Sequence, residues 1–128
     1  MIYLDTSVAL AVLFDEPRKP YLDFWDHELV SSLLLQYELH VRLSARGLGP
    51  AALSAAHRLI AGITLVDLDQ PALARALQPF PLAVRTLDSI HLATMEFLRV
   101  QGLDIEVATY DRRLAEAAEA MGFKLANV

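Results

Sequence analysis

The sequence predicts an α/β fold built on a central, mostly parallel sheet. Two observations carry that reading. Short apolar runs alternate with stretches of helical periodicity along the whole chain, the pattern of repeated strand–helix–strand units. Two acids, Asp5 in IYLDTS and Asp111 in VATYDRRLAEAA, stand directly after an apolar strand and directly before a helix. In an open parallel sheet the ligand crevice lies there, outside the carboxyl ends of the strands. The length of 128 residues fits a single domain over 1–128 and leaves little room for two.

Each element has a local reason. Met1 to Leu4 is the first strand. Thr6 to Phe14 is a short helix punctuated by Pro17, and a second helix is expected over Arg18 to Asp26. Glu28 to Ser31 is a strand leading into a helix from Ser32 to Ala45, with Ser31 or Ser32 as cap and Gly47 at its end. Pro50 suits the start of a helix running to Ala61. Ile63 to Val66 is a strand, and Asp69 or Gln70 caps a helix to Leu77. Pro79 and Pro81 make Gln78 to Leu82 a loop. Asp88 to Val100 is a helix with apolar residues nearly all round, which predicts burial. Ile105 to Thr109 is a strand. Asp111 caps a helix with Leu114, Ala117, Ala118 and Met121 on one face, Gly122 closes it, and Phe123 to Leu125 is a last strand.

Composition narrows the function classes. The apolar share is 55% and the mean hydropathy +0.35, enough for a full core with apolar surface left for a partner. Charged residues or His interrupt every candidate membrane span. The segment MIYLDTSVALAVLFDEP lacks the basic start of a secretory signal, so it reads as strand then helix in a cytoplasmic protein. With no cysteine there is no disulfide framework, thiolate zinc site or Cys nucleophile. The net charge of −5 argues against a nucleic-acid partner when taken alone. A metal site made of four carboxylates accounts for most of that excess, and the remainder of the chain is close to neutral.

Four acids stand out: Asp5, Glu38, Asp88 and Asp111. Singly, each has an ordinary explanation. Asp5, Asp88 and Asp111 suit helix N-caps. Glu38, in SSLLLQYEL, suits a solvated helix face or an i,i+4 pair with Arg42. Together they exceed what capping needs. Grouped carboxylates repel unless a cation neutralises them. Mg²⁺ and Mn²⁺ are hard ions that take oxygen ligands and keep waters. Such an ion activates water against a phosphodiester and stabilises the leaving oxygen.

The order Asp5 (YLDTS), Glu38 (SSLLLQYEL), Asp88 (LDSIHLAT) and Asp111 (TYDRRLAEAA) resembles the PIN domain, specifically the VapC-type toxins of type II toxin–antitoxin pairs. The resemblance runs from residue 3 to beyond residue 120. It implies a three-layer α/β/α fold and Mg²⁺- or Mn²⁺-dependent endoribonuclease activity on tRNA, rRNA or mRNA, with one or two ions. It also implies a cognate VapB-type antitoxin and a homodimer. By position, Asp5 and Asp88 are the core metal ligands, Asp111 lies close by, and Glu38 completes the site directly or through water. Thr6 and Thr109 are hydroxyls that support the acids. No further acid follows Asp111 closely, since Arg112 and Arg113 stand there, which leaves the second ion open.

Other residues have weaker roles. Arg85, Arg112 and Arg113 are near proposed ligands and are candidates for phosphate contact. His91, one turn after Asp88, reads as a packed, locally bonded helix histidine rather than a general base. Tyr21, Phe24, Trp25 and Tyr37 read as core or protein interface rather than base-stacking platforms. Two other functions compete. A phosphoaspartate signalling or phosphatase domain needs a second acid beside Asp5, where Thr6 and Ser7 stand. A non-catalytic RNA- or protein-binding module with this fold needs no complete acid set, and here none is missing.

Overall fold

A computed structural model describes all residues, Met1–Val128. The chain forms β1 (Ile2–Leu4), α1 (Thr6–Leu13), β2 (Leu29–Ser32), α2 (Leu34–Ala45), α3 (Pro50–Ala61) and β3 (Thr64–Val66). It continues through α4 (Gln70–Ala76), α5 (Thr86–Val100), β4 (Glu106–Ala108), α6 (Arg112–Ala120) and β5 (Lys124–Leu125). The five strands make one sheet in the order β3-β2-β1-β4-β5, and every pairing is parallel. This is the three-layer α/β/α arrangement.

Strand alternation builds the layers. Successive side chains of a strand point to opposite faces. On β1, Ile2 and Leu4 join Val8, Leu35 and Leu39 on one face, while Tyr3 joins Leu92, Met95 and Leu114 on the other. On β2, Leu29 and Val30 divide in the same way. Helices α1 and α2 therefore cover one face, and α5 and α6 the other. Leu35, Leu39 and Leu92 are wholly buried, and each contributes about 1.5–3 kcal/mol.

The strand order also places the crevice. From β1 the chain moves outward through β2 to β3 on one side, then returns to lay β4 and β5 on the other. The reversal lies between β1 and β4, and ligands bind at such a point. Asp5 N–H donates to Ala108 carbonyl at 2.9 Å, so the two strands stay zipped up to the first acid.

Three expectations are corrected. Arg18 to Asp26 is not an α-helix: only Leu22–Asp26 coils, as a 3-10 turn. Pro20 lacks an N–H and disfavours helical backbone in the residue before it. Helix α5 starts at Thr86, with Arg85 in the cap position, so Asp88 lies inside the first turn. That helix buries a broad face, but Leu87, Phe97 and Val100 are exposed. Where capping was expected it is largely present. Asp69 accepts from Ala72 N–H at 3.0 Å, and Gly47 takes the left-handed φ of 64° that closes α2, whereas the N-cap of α2 is Leu33 and Ser32, at the end of β2, only accepts from Leu34 N–H at 3.2 Å.

Candidate active site

All four acids line one pocket of about 420 Å³ at the carboxyl ends of β1 and β4. Thr6, Ser7, Leu10, Arg42, Arg85, Thr86 and Leu87 complete its wall. The acids share this pocket without closing into a cluster of three ligands at ion-sharing distance. Mutual repulsion opposes closer approach.

Asp5 is 6% exposed and caps α1. All its hydrogen bonds from the chain fall on Oδ2. Ser7 N–H donates at 3.2 Å, Thr109 Oγ1 donates at 2.8 Å, and Ser7 Oγ donates as well. These donors are uncharged, and Oδ1 is left for a ligand. Ser7 Oγ accepts from Tyr110 N–H at 2.9 Å, and Thr109 Oγ1 accepts from Asp111 N–H at 3.0 Å. Two small hydroxyls thus tie the end of β1 to the start of α6.

Glu38 lies on the inner side of α2. Its Oε1 accepts from Thr6 Oγ1 at 2.9 Å and from His91 Nε2 at 2.6 Å, leaving Oε2 without a protein partner. There is no Glu38–Arg42 pair. The position of His91 was misjudged from sequence. It is buried, but its partners are 53 and 88 residues away rather than local. Ser32 N–H donates to Tyr3 Oη at 3.2 Å, and Tyr3 Oη stands 2.8 Å from His91 Nδ1. Burial pushes the Tyr3 phenol far up, so it remains a donor. A carboxylate only accepts, so His91 Nε2 carries the ring proton and Nδ1 accepts from Tyr3. The helical spacing of Asp88 and His91 was the available signal for this link.

Asp88 is 9% exposed and is not a cap. Its Oδ2 accepts from Arg85 Nε at 2.7 Å, and Oδ1 has no protein partner. Asp111 differs. Its Oδ1 caps α6, accepting from Arg113 N–H at 2.9 Å and Leu114 N–H at 3.3 Å, and its Oδ2 pairs with the Arg85 guanidinium. Desolvation pushes the Asp111 carboxyl up, but Arg85 and the two amides outweigh it and hold it below the usual range. The same contacts, Asp88 first and Asp111 second, raise the Arg85 guanidinium further above its ordinary value.

The arginines expected at phosphate divide by contact. Arg85 is committed to Asp88 and Asp111. Arg112 pairs with Glu116 at 2.8 Å, with its side chain 89% exposed. Arg113 lines a separate pocket with Arg85, Asp88 and Glu116. Arg42, which sequence reasoning treated only as a partner for Glu38, reaches the acid pocket itself.

The donor chemistry fits a hard divalent cation. Asp5, Glu38 and Asp88 each have one oxygen fixed by the protein and one free, and such ions select carboxylate oxygen. A family model for the PIN domain matches residues 2–120. The chain belongs to the PIN domain family. Two curated relatives of this PIN domain are ribonucleases of Mycobacterium tuberculosis. Ribonuclease VapC46 is 35% identical over 125 residues, covering 94% of this chain and 92% of the relative. Ribonuclease VapC47 is 31% identical over 134 residues, covering 99% and 96%. A chain of a toxin–antitoxin complex from Klebsiella pneumoniae superposes with a TM-score of 0.67 at 16% identity, over 94% of each chain. By sequence this PIN domain is of the VapC type, and the superposition bears out its fold.

Proposed function

We propose that this PIN domain is a divalent-metal-dependent endoribonuclease that hydrolyses RNA phosphodiester bonds. Asp5, Glu38 and Asp88 hold Mg²⁺ or Mn²⁺, with Asp111 beside them. The observation that carries the reading is the pocket where β1 and β4 end. Three of its carboxylates are each fixed by one oxygen and keep the other free of protein partners.

A bound cation, held by Asp5, Glu38 and Asp88, would supply Lewis acidity at the scissile phosphate and activate water. The chain does the positioning. Ser7 and Thr109 fix Asp5, Thr6 and His91 fix Glu38, and Arg85 fixes Asp88. The Arg85 guanidinium offsets negative charge on the Asp111 side. The names of the relatives support the ribonuclease assignment.

The reading extends to partners. A VapB-type antitoxin blocks the site, and the toxin is a homodimer acting on tRNA, rRNA or mRNA. Exposed Tyr37 and Val41, one turn apart on α2, and exposed Tyr21 and Leu22 supply apolar surface for such contacts. The test is cleavage of total RNA with Mn²⁺ by the wild-type chain and by Asp5→Asn. Cutting that EDTA and Asp5→Asn both abolish supports the reading. Cutting in excess EDTA, or at full rate by Asp5→Asn, contradicts it.

A further inference from the structure

A second pocket of about 270 Å³ opens from the acid pocket and shares Ser7, Leu10 and Arg42 with it. Its remaining wall includes Phe14, Arg46 and Tyr110, with Glu16 as its one acid. The Arg46 guanidinium lies 3.7 Å above the Phe14 ring, and that of Arg18 lies 4.3 Å above the Tyr110 ring. None of Arg18, Arg42 and Arg46 forms an ion pair, whereas Arg75, Arg85, Arg99 and Arg112 all do. Tyr110 Oη is buried without a hydrogen-bond partner. The Tyr110 backbone is fastened to Ser7 Oγ, which also holds Asp5, so the ring keeps a fixed place beside the acid pocket.

We propose that this second pocket is the subsite for the nucleotide next to the scissile phosphate, with Arg42 on the flanking phosphate and the Arg46–Phe14 and Arg18–Tyr110 pairs against the base. The proposal rests on the ribonuclease reading and names how its substrate is held. An acid-rich pocket repels a polyanion, so the strand needs cations at its margin. Arg42 is the free cation at the junction of the two pockets. Unpaired guanidinium groups bind phosphate oxygens in a planar fork. Guanidinium and aromatic planes together are the surfaces on which unstacked RNA bases lie. A single-stranded RNA fits both features. An acidic peptide fits the arginines but has no use for the ring–guanidinium pairs.

The experiment measures fluorescence anisotropy of a labelled single-stranded RNA hexamer at several KCl concentrations. It uses Asp5→Asn chains so that the strand stays whole. Adding Arg42→Ala weakens binding about tenfold and lowers the slope of log Kd on log salt by about 0.7, the loss of one single-strand phosphate contact. Arg42→Lys restores the slope. Tyr110→Ala weakens binding by about tenfold with the slope unchanged, as loss of a stacking surface requires. Adding Arg58→Ala, exposed on α3 and outside both pockets, leaves affinity and slope as they were.

Unchanged affinity and slope in the Arg42→Ala and Arg46→Ala chains, with far-UV circular dichroism unchanged, overturns the subsite. Equal binding of poly-glutamate also overturns it, in favour of a peptide surface. The two readings fail separately. Mn²⁺-dependent cutting by the wild-type chain with RNA binding indifferent to Arg42 removes the subsite alone. Arg42-dependent RNA binding by a wild-type chain that does not cut removes the nuclease alone.

Discussion

Asp5 and Asp111 look alike in the sequence and do different work in the fold. Each follows an apolar strand, caps the next helix and enters the same pocket. Asp5 is held by three uncharged donors on one oxygen, so its charge is left uncompensated by the chain. Asp111 gives one oxygen to its helix and the other to the Arg85 guanidinium. A strand-end carboxylate with neutral anchors keeps its charge available to a cation. A guanidinium anchor has already supplied the counter-charge. Glu38 belongs with Asp5 in this respect, while Asp88 stands between, with one oxygen on Arg85 and one free.

The difference can be pressed experimentally, and the largest effect falls on the acids that keep a free oxygen. Asp5→Asn or Asp88→Asn lowers RNA cleavage by about 10²–10³, the scale of a lost preorganised electrostatic contact, while the thermal transition survives. Next is the link behind Glu38. His91→Leu removes the donor to Oε1 and weakens Mn²⁺ binding by about 10–100-fold, the usual range for groups that orient metal ligands. His91→Gln, which can offer an N–H to Glu38, recovers part of that loss. A purely structural role for His91 predicts no difference between the two variants in Mn²⁺ titration.

On the guanidinium-anchored side the effects are smaller. Asp111→Asn reduces cleavage by about tenfold, because it lies outside the set of three acids that keep a free oxygen. Arg85→Ala frees Asp88 Oδ2 and tightens Mn²⁺ binding, which calorimetry detects as a lower Kd. The smallest effect is at Arg112→Ala. Water screens so exposed a pair, so cleavage and melting change by less than the scatter of either measurement.

How much of this was legible in the sequence depends on the range of the interaction. Strand and helix order, the parallel sheet and the caps at Asp5, Asp69 and Asp111 follow from local periodicity and local side-chain geometry. So does the arrival of two acids at one crevice, because both occupy strand ends. The failures share a cause. Arg18–Asp26 carries helix-compatible residues, but Pro20 sets its backbone. Asp88 resembles a cap, yet the helix begins two residues earlier at Thr86. His91 and Arg42 were assigned near neighbours on their own helices. The partners of His91 come from β1 and α2, brought together only by folding. Arg42 lines the acid pocket without forming an ion pair, its reach into that pocket set by the fold rather than by its own helix.

The central claim is that Asp5, Glu38 and Asp88 form a cation site through their free oxygens. It is tested most directly by calorimetric titration of Mn²⁺ into the wild-type chain and into Asp5→Asn, with circular dichroism on both. The account predicts saturable binding by the wild-type chain and its loss in a fully folded Asp5→Asn chain. Equal Mn²⁺ binding by the two chains would contradict it.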